Sequence, residues 1–133
     1  MIVPFPPGGS TDLVARLVTT KVSEMWGGKA IVIEYRPGAS GLIGTTAGVK
    51  AEPDGYVLTL GNNQTHATNA TLYTKLSFDM IKDVLPVARL VRTRHVVVVP
   101  FNSPYRTIAD LISGGRVKPL SYASSSLGSA SHM

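Results

Sequence analysis

The sequence predicts an α/β protein in which helices flank a mainly parallel sheet. Over residues 1–73, short apolar runs rich in β-branched residues alternate with helical patterns. Each of the first three apolar runs is followed by a polar or glycine-rich loop. Right-handed crossovers bring the carboxyl ends of parallel strands to one edge of the sheet, so these three loops are expected to lie together and to form a ligand site.

The first strand and its loop open the chain. Met1-Ile2-Val3 is an apolar run, and the loop after it reads Pro-Phe-Pro-Pro-Gly-Gly-Ser-Thr-Asp over residues 4–12. The prolines cannot extend a strand ladder because they lack an N–H, and the two glycines allow the backbone to turn. Ser10 is a good N-cap, and Asp12 suits the first turn of a helix. The pattern predicts an open helix N-terminus that can bind an anion such as a carboxylate, although an ordinary strand-to-helix turn has the same pattern.

The next elements follow the same alternation. Apolar residues at positions 14, 18, 22 and 25, with Leu13 and Leu17 widening the stripe, predict a first helix over residues 11–26. The pair Gly27-Gly28 ends this helix. A second glycine-rich turn spans residues 36–41. The other predicted elements of this part are strands at residues 30–34 and 56–60 and helices at residues 42–51 and 67–73.

Residues 84–123 continue the pattern less regularly. Apolar runs predict strands at residues 84–91, 95–99 and 120–123, and the four valines at residues 96–99 are typical of a fully buried strand. A short helix is predicted at residues 107–113, ended by Gly114-Gly115. The serine-rich stretch that follows has the composition of another loop entering a helix, so we expect the chain to be truncated there.

Composition excludes several classes of protein. The net charge of +5 is moderate, and Lys and Arg are scattered without interleaved aromatic residues, so a nucleic-acid surface is not expected. A mild positive field does suit an anionic small ligand. The absence of cysteine excludes disulfides and thiolate chemistry. No apolar run approaches the length of a membrane span and no signal peptide is present, but the chain starts inside its first strand, so we expect that residues are missing upstream.

Motifs for nucleotide, metal or catalytic sites are weak. Gly38, Gly41 and Gly44 do not form the dinucleotide fingerprint, and no P-loop motif is present. The three histidines are far apart in sequence and lack nearby ligand residues, so no metal site is predicted. The serine-rich loop near the end offers hydroxyl groups but no nucleophile elbow and no activating base, which favours recognition over catalysis. A small α/β hydrolase or transferase, or a fragment without ligand function, is the alternative.

Two residues of the first loop each have two interpretations. Asp12 either complements the helix dipole and braces the loop, or it orients water or receives an amine of the ligand. Phe5 is either a core residue near a hinge or an apolar wall of the pocket, and we interpret it as the wall.

Four motifs together resemble one family. They read Pro-Phe-Pro-Pro-Gly-Gly-Ser-Thr-Asp at residues 4–12, Glu-Tyr-Arg-Pro-Gly-Ala-Ser-Gly at residues 34–41, Pro-Asp-Gly-Tyr at residues 53–56, and Tyr-Ala-Ser-Ser at residues 122–125 with Gly128, Ser129 and His132 after it. The set is similar to the receptors of tripartite tricarboxylate transporters, also called TctC-like or Bug proteins, which are extracytoplasmic solute-binding proteins. The resemblance runs in order over essentially the whole chain. One departure is Tyr35, a position that is commonly Asn in the family.

The resemblance implies a periplasmic-binding-protein-like (type II) fold of two α/β lobes with a ligand cleft between them. Residues 1–92 would form the N-terminal part of the first lobe, and residues 93–133 the crossover and the start of an incomplete second lobe. Family members are longer and begin with an export signal, so the resemblance also implies that this chain is truncated. A cleft with one complete wall is expected to bind weakly, because closure supplies much of the affinity.

In function, the resemblance implies a periplasmic binding protein that captures a small carboxylate in the interlobe cleft and delivers it to the subunits of a membrane transporter. It implies a binding role without enzymatic activity, and we expect no cofactor, no metal and no nucleic-acid partner. The residues carried over by position to the ligand site lie in loops after the predicted strands. They are Phe5, Pro6, Gly9, Ser10, Thr11, Asp12, Ala39, Ser40, Gly41, Asn62, Thr65, Ser125, Gly128 and Ser129.

Overall fold

A small parallel sheet lies at the centre of the structure. The computed structural model describes residues 1–124 and residue 132. Strand β1 (Ile2–Val3) pairs in parallel with strand β2 (Glu34–Tyr35), with Ile2 opposite Glu34. A further parallel bridge joins Ile2 to Thr59.

Strand β1 lies between its two neighbours. On one side, Ile2 N donates to Leu58 O at 2.7 Å and Ile2 O accepts from Leu60 N at 2.9 Å. On the other side, the carbonyls of residues 1 and 3 accept from the amides of residues 34 and 36. Because successive residues of a strand direct these groups to opposite sides, the two pairings flank β1. The predicted parallel arrangement is therefore confirmed. The paired segments are much shorter than the apolar runs predicted at residues 30–34 and 56–60.

Each predicted helix has a counterpart in the structure. A 3-10 turn at Ala39–Gly41 leads directly into the second helix, and a π-helical turn at Gln64–Thr68 leads into the third. The sequence did not predict the π-helical turn. The α-helices of the described residues are α1 (Ser10–Met25), α2 (Leu42–Val49), α3 (Asn69–Leu72) and α4 (Ile108–Val117).

Helix α1 packs on β1 through a narrow face of small and polar residues. Its buried residues are Asp12, Ala15 and Thr19, which lie one above another on the helix, whereas Leu13 and Leu17 are exposed. The prediction that Leu13 and Leu17 widen the buried face of α1 is therefore wrong. Small side chains allow the helix to approach a two-residue strand closely, and the leucines have no sheet to cover.

The strands predicted at residues 84–91, 95–99 and 120–123 do not form in the described part of the chain. Within these residues no backbone ladder pairs with them, and the side chains that were expected to be buried face solvent. Val96, Val97 and Val98 are 80%, 67% and 82% exposed. The prediction of a fully buried strand is wrong here, because apolar composition does not make a strand unless a neighbouring strand accepts its hydrogen bonds.

Helix α4 continues through two glycines that were expected to end it. A glycine ends a helix when it adopts the left-handed conformation, and neither Gly114 nor Gly115 has a positive φ. At Gly114 an added Cβ would meet the end of the Tyr105 ring, 2.6 Å from its hydroxyl oxygen. The helix begins with a capping box, in which Asp110 N donates to Thr107 Oγ1 at 3.1 Å and Thr107 N donates to Asp110 Oδ2 at 2.8 Å.

Candidate functional site

Three loops converge at the carboxyl edge of the sheet. They comprise residues 4–12 after β1, residues 36–41 after β2 and residues 60–66 after the Thr59 bridge, and we refer to them as the loop cluster. The loops meet at Gly41, where a Cβ would lie 2.5 Å from Thr65 Cγ2 and 3.2 Å from Phe5 Cζ. The structure thus brings together one candidate residue from each of the three predicted loops.

Asp12 braces the first loop. The residue is 5% exposed, in the first turn of α1. Its Oδ2 accepts a hydrogen bond from Gly8 N at 2.8 Å, and its Oδ1 accepts from the Tyr35 hydroxyl at 2.6 Å and from Arg16 Nε at 2.9 Å. Arg16 Nη2 also donates to the Tyr35 oxygen at 2.8 Å. These bonds support the bracing interpretation of Asp12 and tie α1 to the end of β2.

The same bonds determine the charge state of this group. The Tyr35 hydroxyl, and then the Gly8 amide, hold the pKa of Asp12 below its ordinary value of 3.8, and Arg16 adds to the effect. The bond to Asp12 raises the pKa of Tyr35 above its ordinary value of 10.0, and it raises the pKa of Arg16 as well. At neutral pH Asp12 and Arg16 therefore form an ion pair, and the neutral Tyr35 hydroxyl is bonded to both.

The N-terminus of α1 presents backbone donors beside exposed residues. Gly9, in an extended conformation, is the N-cap in place of the predicted Ser10, and no side chain among the described residues caps the helix. Pro6, Gly9 and Ser10 are exposed, and Thr11 is half-buried. An N-terminus of this kind carries free N–H groups and a partial positive charge, which suits an anion.

The second loop has positive φ angles at four consecutive residues. The φ angles of Gly38, Ala39, Ser40 and Gly41 are 124°, 46°, 56° and 83°. Non-glycine residues rarely adopt such angles, and the surrounding structure has to stabilise them. Asn69 does so by donating from Nδ2 to Ser40 O at 3.1 Å. On the helix side, Thr45 Oγ1 donates to Gly41 O at 2.9 Å.

The third loop is closed by bonds within itself. Asn62 N donates to Thr65 Oγ1 at 2.9 Å, and Thr65 N donates to Asn62 Oδ1 at 3.1 Å. Thr65 Oγ1 also lies 2.7 Å from His66 Nδ1. Burial lowers the pKa of His66 below 6.5, so the neutral ring is favoured. Thr65 is buried and Asn62 is exposed, so Asn62 presents the outer surface of this loop.

Three residues that support the loops were not among the candidates. Arg16 lies four residues after Asp12, a spacing at which helical ion pairs form, so the sequence did contain a signal for it. Tyr35 was noted only as a departure from the family pattern. Asn69 gave no sequence signal, because its bond to Ser40 spans 29 positions of the chain. Its Oδ1 is buried without a hydrogen-bond partner among the described residues.

The candidates Ser125, Gly128 and Ser129 lie outside the described residues. Of the described residues that precede and follow them in the sequence, Tyr122 donates its hydroxyl to His132 O at 3.0 Å, and the centroids of the two rings are 6.2 Å apart. For Phe5, Asp12, Gly41 and the other candidates of the first three loops, direct contact with a ligand stays a prediction.

Other features of the described residues do not compete with the loop cluster. A cavity of about 260 Å³ lies at the opposite, amino end of the sheet beside Met1, Val32 and Tyr56. Among the residues that the structure covers, no three His, Cys, Asp or Glu side chains are grouped to hold a metal ion. Likewise, no described helix is both long and apolar enough to cross a membrane.

Comparison with known families and curated proteins gives a consistent result. The family described as "Tripartite tricarboxylate transporter family receptor" matches residues 14–133. The "UPF0065 protein in tcbD-tcbE intergenic region" of Pseudomonas sp. (strain P51) is 34% identical over 99% of this chain and 39% of its own length. "Protein BugT" of Bordetella pertussis is 33% identical over 100% of this chain and 41% of its own length. The chain therefore spans about two fifths of the length of these relatives.

Solved structures show the same similarity. The protein titled "R. palustris Rpa4515 with adipate" matches with a TM-score of 0.83 and 37% identity, over 96% of this chain and 44% of that one. The protein titled "Structure of a periplasmic transporter" matches with a TM-score of 0.58 and 46% identity, over 61% of this chain and 27% of that one.

Proposed function

Because this chain belongs to the tripartite tricarboxylate transporter receptor family, we propose that it forms one wall of a solute-binding cleft. The cleft captures a small carboxylate in the periplasm, and the loaded receptor delivers it to the subunits of a tripartite membrane transporter. The observation that carries the proposal is the meeting of the three loops around Gly41 at the carboxyl edge of the sheet. Ligands of open α/β sheets bind at this edge.

The chemistry of the loop cluster suits a carboxylate. The N-terminus of α1 supplies free N–H donors and a partial positive charge. Asp12 would oppose an anion, but Arg16 offsets its charge at 2.9 Å. The net charge of +5 gives a field that favours the approach of an anion.

The nature of the solute is supported by one relative. The structure of the R. palustris protein was determined with adipate, and that protein matches almost all of this chain. Adipate has a carboxylate at each end, so one end can lie at the N-terminus of α1 while the other faces the second wall of the cleft. We propose a small carboxylate of this class as the solute and a binding role without catalysis for the loops.

The experiment is a thermal-shift titration with adipate and with 1,6-hexanediol, which has the same length but no charge. A ligand that binds only the folded protein raises its melting temperature. Adipate should raise it in a concentration-dependent manner, and hexanediol should not. If adipate, shorter diacids and tricarboxylates all leave the melting temperature unchanged, the proposed function is wrong.

A matched pair of glycine variants links this binding to the loop cluster. Gly41→Ala places a Cβ against Thr65 and Phe5, whereas Gly55→Ala places one at the same φ of 83° with nothing within 4 Å. Both variants bear the cost of a left-handed alanine, but only the first separates the loops. Gly41→Ala should weaken adipate binding by about tenfold, the equivalent of 1.4 kcal/mol. Equal loss in the two variants would place the solute elsewhere.

A further inference from the structure

The loop cluster contains a single acidic side chain. Of residues 4–12, 36–41 and 60–66, only Asp12 carries a carboxylate. Its Oδ2 accepts from the Gly8 amide, and its Oδ1 accepts from the Tyr35 hydroxyl and from Arg16 Nε, so one acceptor position stays open, on Oδ2, in a residue that is only 5% exposed. Its charge is offset by Arg16 and its side chain is only 7% exposed, so the group presents neither an accessible acceptor nor a net negative charge to the cleft.

An ammonium group in the solute needs an accessible acceptor and a negative charge close to it. A positive charge that leaves water is costly unless a carboxylate or several well-placed acceptors receive it. Glu34 does not serve, since it lies outside the three loops, lines the cavity beside Met1, Val32 and Tyr56, and is paired with Arg36. Asn69 Oδ1 lacks a partner but is inaccessible, in a residue that is 0% exposed. In the described residues of the cluster, therefore, no acidic side chain is available to an amine of the solute.

This inference rests on the proposed function. We propose that Tyr35 is a positioning residue that determines specificity: its hydroxyl binds Oδ1 of Asp12, so that the site accepts diacids and rejects amino diacids. Tyr35 acts through Asp12 and needs no contact with the solute. Its hydroxyl donates to Asp12 at 2.6 Å and accepts from Arg16 at 2.8 Å, so a single oxygen holds both charged partners. Arg16 alone does not replace it, because only its Nε donates to Oδ1, which leaves the second position on that oxygen open to another donor.

The experiment compares adipate with L-2-aminoadipate, which has the same carbon chain and one added ammonium group, by isothermal titration calorimetry. The unmodified chain should bind adipate at least about tenfold more tightly, since a charge-assisted hydrogen bond is not available to the amine. In Tyr35→Phe, Oδ1 of Asp12 regains an open acceptor position, and the ratio of the two affinities should fall by about tenfold.

Two further variants separate this role from a structural one. Tyr56→Phe removes a hydroxyl from a tyrosine that is 90% exposed and lies at the opposite end of the sheet, and it should leave the affinity ratio unchanged. The double variant Tyr35→Phe/Asp12→Asn should restore the preference for adipate, because a neutral amide attracts an ammonium group weakly. General loosening of the fold would weaken both ligands and leave their ratio as it was.

The outcomes distinguish this inference from the function on which it rests. A ratio that falls in Tyr35→Phe and returns in the double variant supports the positioning role. If adipate binds but the ratio is the same in Tyr35→Phe as in the unmodified chain, the specificity role of Tyr35 is wrong and the proposed function stands. If neither ligand binds to the unmodified chain, the proposed function and this inference fail together.

Discussion

Gly44 offers a direct test of how the first two loops are held together. It is buried in α2, and a Cβ at this position would lie 2.7 Å from the Pro4 Cα and 2.7 Å from the Arg36 carbonyl oxygen. Both are backbone atoms that follow β1 and β2, so no change of rotamer can relieve the contact. We expect Gly44→Ala to force α2 away from the ends of the two strands.

The magnitude follows from two opposing effects. To restore an ordinary contact of 3.4 Å, the helix or the strands must move by about 0.7 Å. Overpacking of this kind costs about 1–3 kcal/mol, and a shift of the backbone belongs to the upper part of that range. Replacement of a helical glycine by alanine contributes about 1 kcal/mol in the opposite direction. We therefore expect Gly44→Ala to lower the free energy of unfolding by about 2 kcal/mol.

The assay is urea unfolding followed by circular dichroism, with the slope of the transition as a check on two-state behaviour. Gly115→Ala is the matched control, because Gly115 is also helical and the nearest atom to its added Cβ is Leu120 Cδ1 at 3.9 Å. The control should raise the free energy of unfolding by about 0.5–1 kcal/mol. If Gly44→Ala is as stable as the parent chain, the close packing of α2 on the two strand ends is refuted.

Two other predictions concern the groups that support the loops. Asn69→Ala removes the bond to Ser40 O and should lower the free energy of unfolding by about 1 kcal/mol. The control Asn63→Ala, at an exposed position, should change it by less than about 0.5 kcal/mol. Equal effects of the two variants in urea unfolding would show that the bond contributes nothing to stability. Because the folded-state pKa of Asp12 lies below 3.8, its bonds stabilise the fold fully above that pH, and this contribution is lost as the pH falls through the lowered value. Asp12→Asn should therefore show a weaker loss of stability on acidification, and an acid transition identical to that of the parent chain would contradict the role assigned to Asp12.

Local patterns were sufficient to predict the first half of the fold. The alternation of apolar runs and helical patterns indicated parallel strands with their loops at one edge, and β1 does lie between two parallel neighbours. Helix α1 was predicted to within one residue at each end, because its apolar period and the glycines after it are local signals. The valines at residues 96–99 show the limit of such reasoning, since whether an apolar run is buried depends on what else packs against it.

The candidate site shows the same division. The sequence indicated which loops follow strands and that these loops lie together. In the structure Phe5, Gly41 and Thr65, one residue from each loop, are in contact or close to it. The contacts that hold the loops are between residues distant in sequence. Tyr35 reaches Asp12 across 23 positions, and Asn69 reaches Ser40 across 29. No periodicity encodes such pairs, because they depend on how the helices and strands lie relative to one another.

By itself, the sequence determined the order of strands and helices over residues 1–73, the positions of the glycine-rich loops and the membership in a receptor family, because these depend on short-range patterns and on motifs in order. Only the tertiary structure decided that Asp12 is bonded to Tyr35 and Arg16, that the second loop has positive φ at four consecutive residues, and which face of α1 is buried. The reason is physical: a hydrogen bond or a buried contact exists only when two groups approach to within a few ångströms, and that distance is set by the packing of the whole chain.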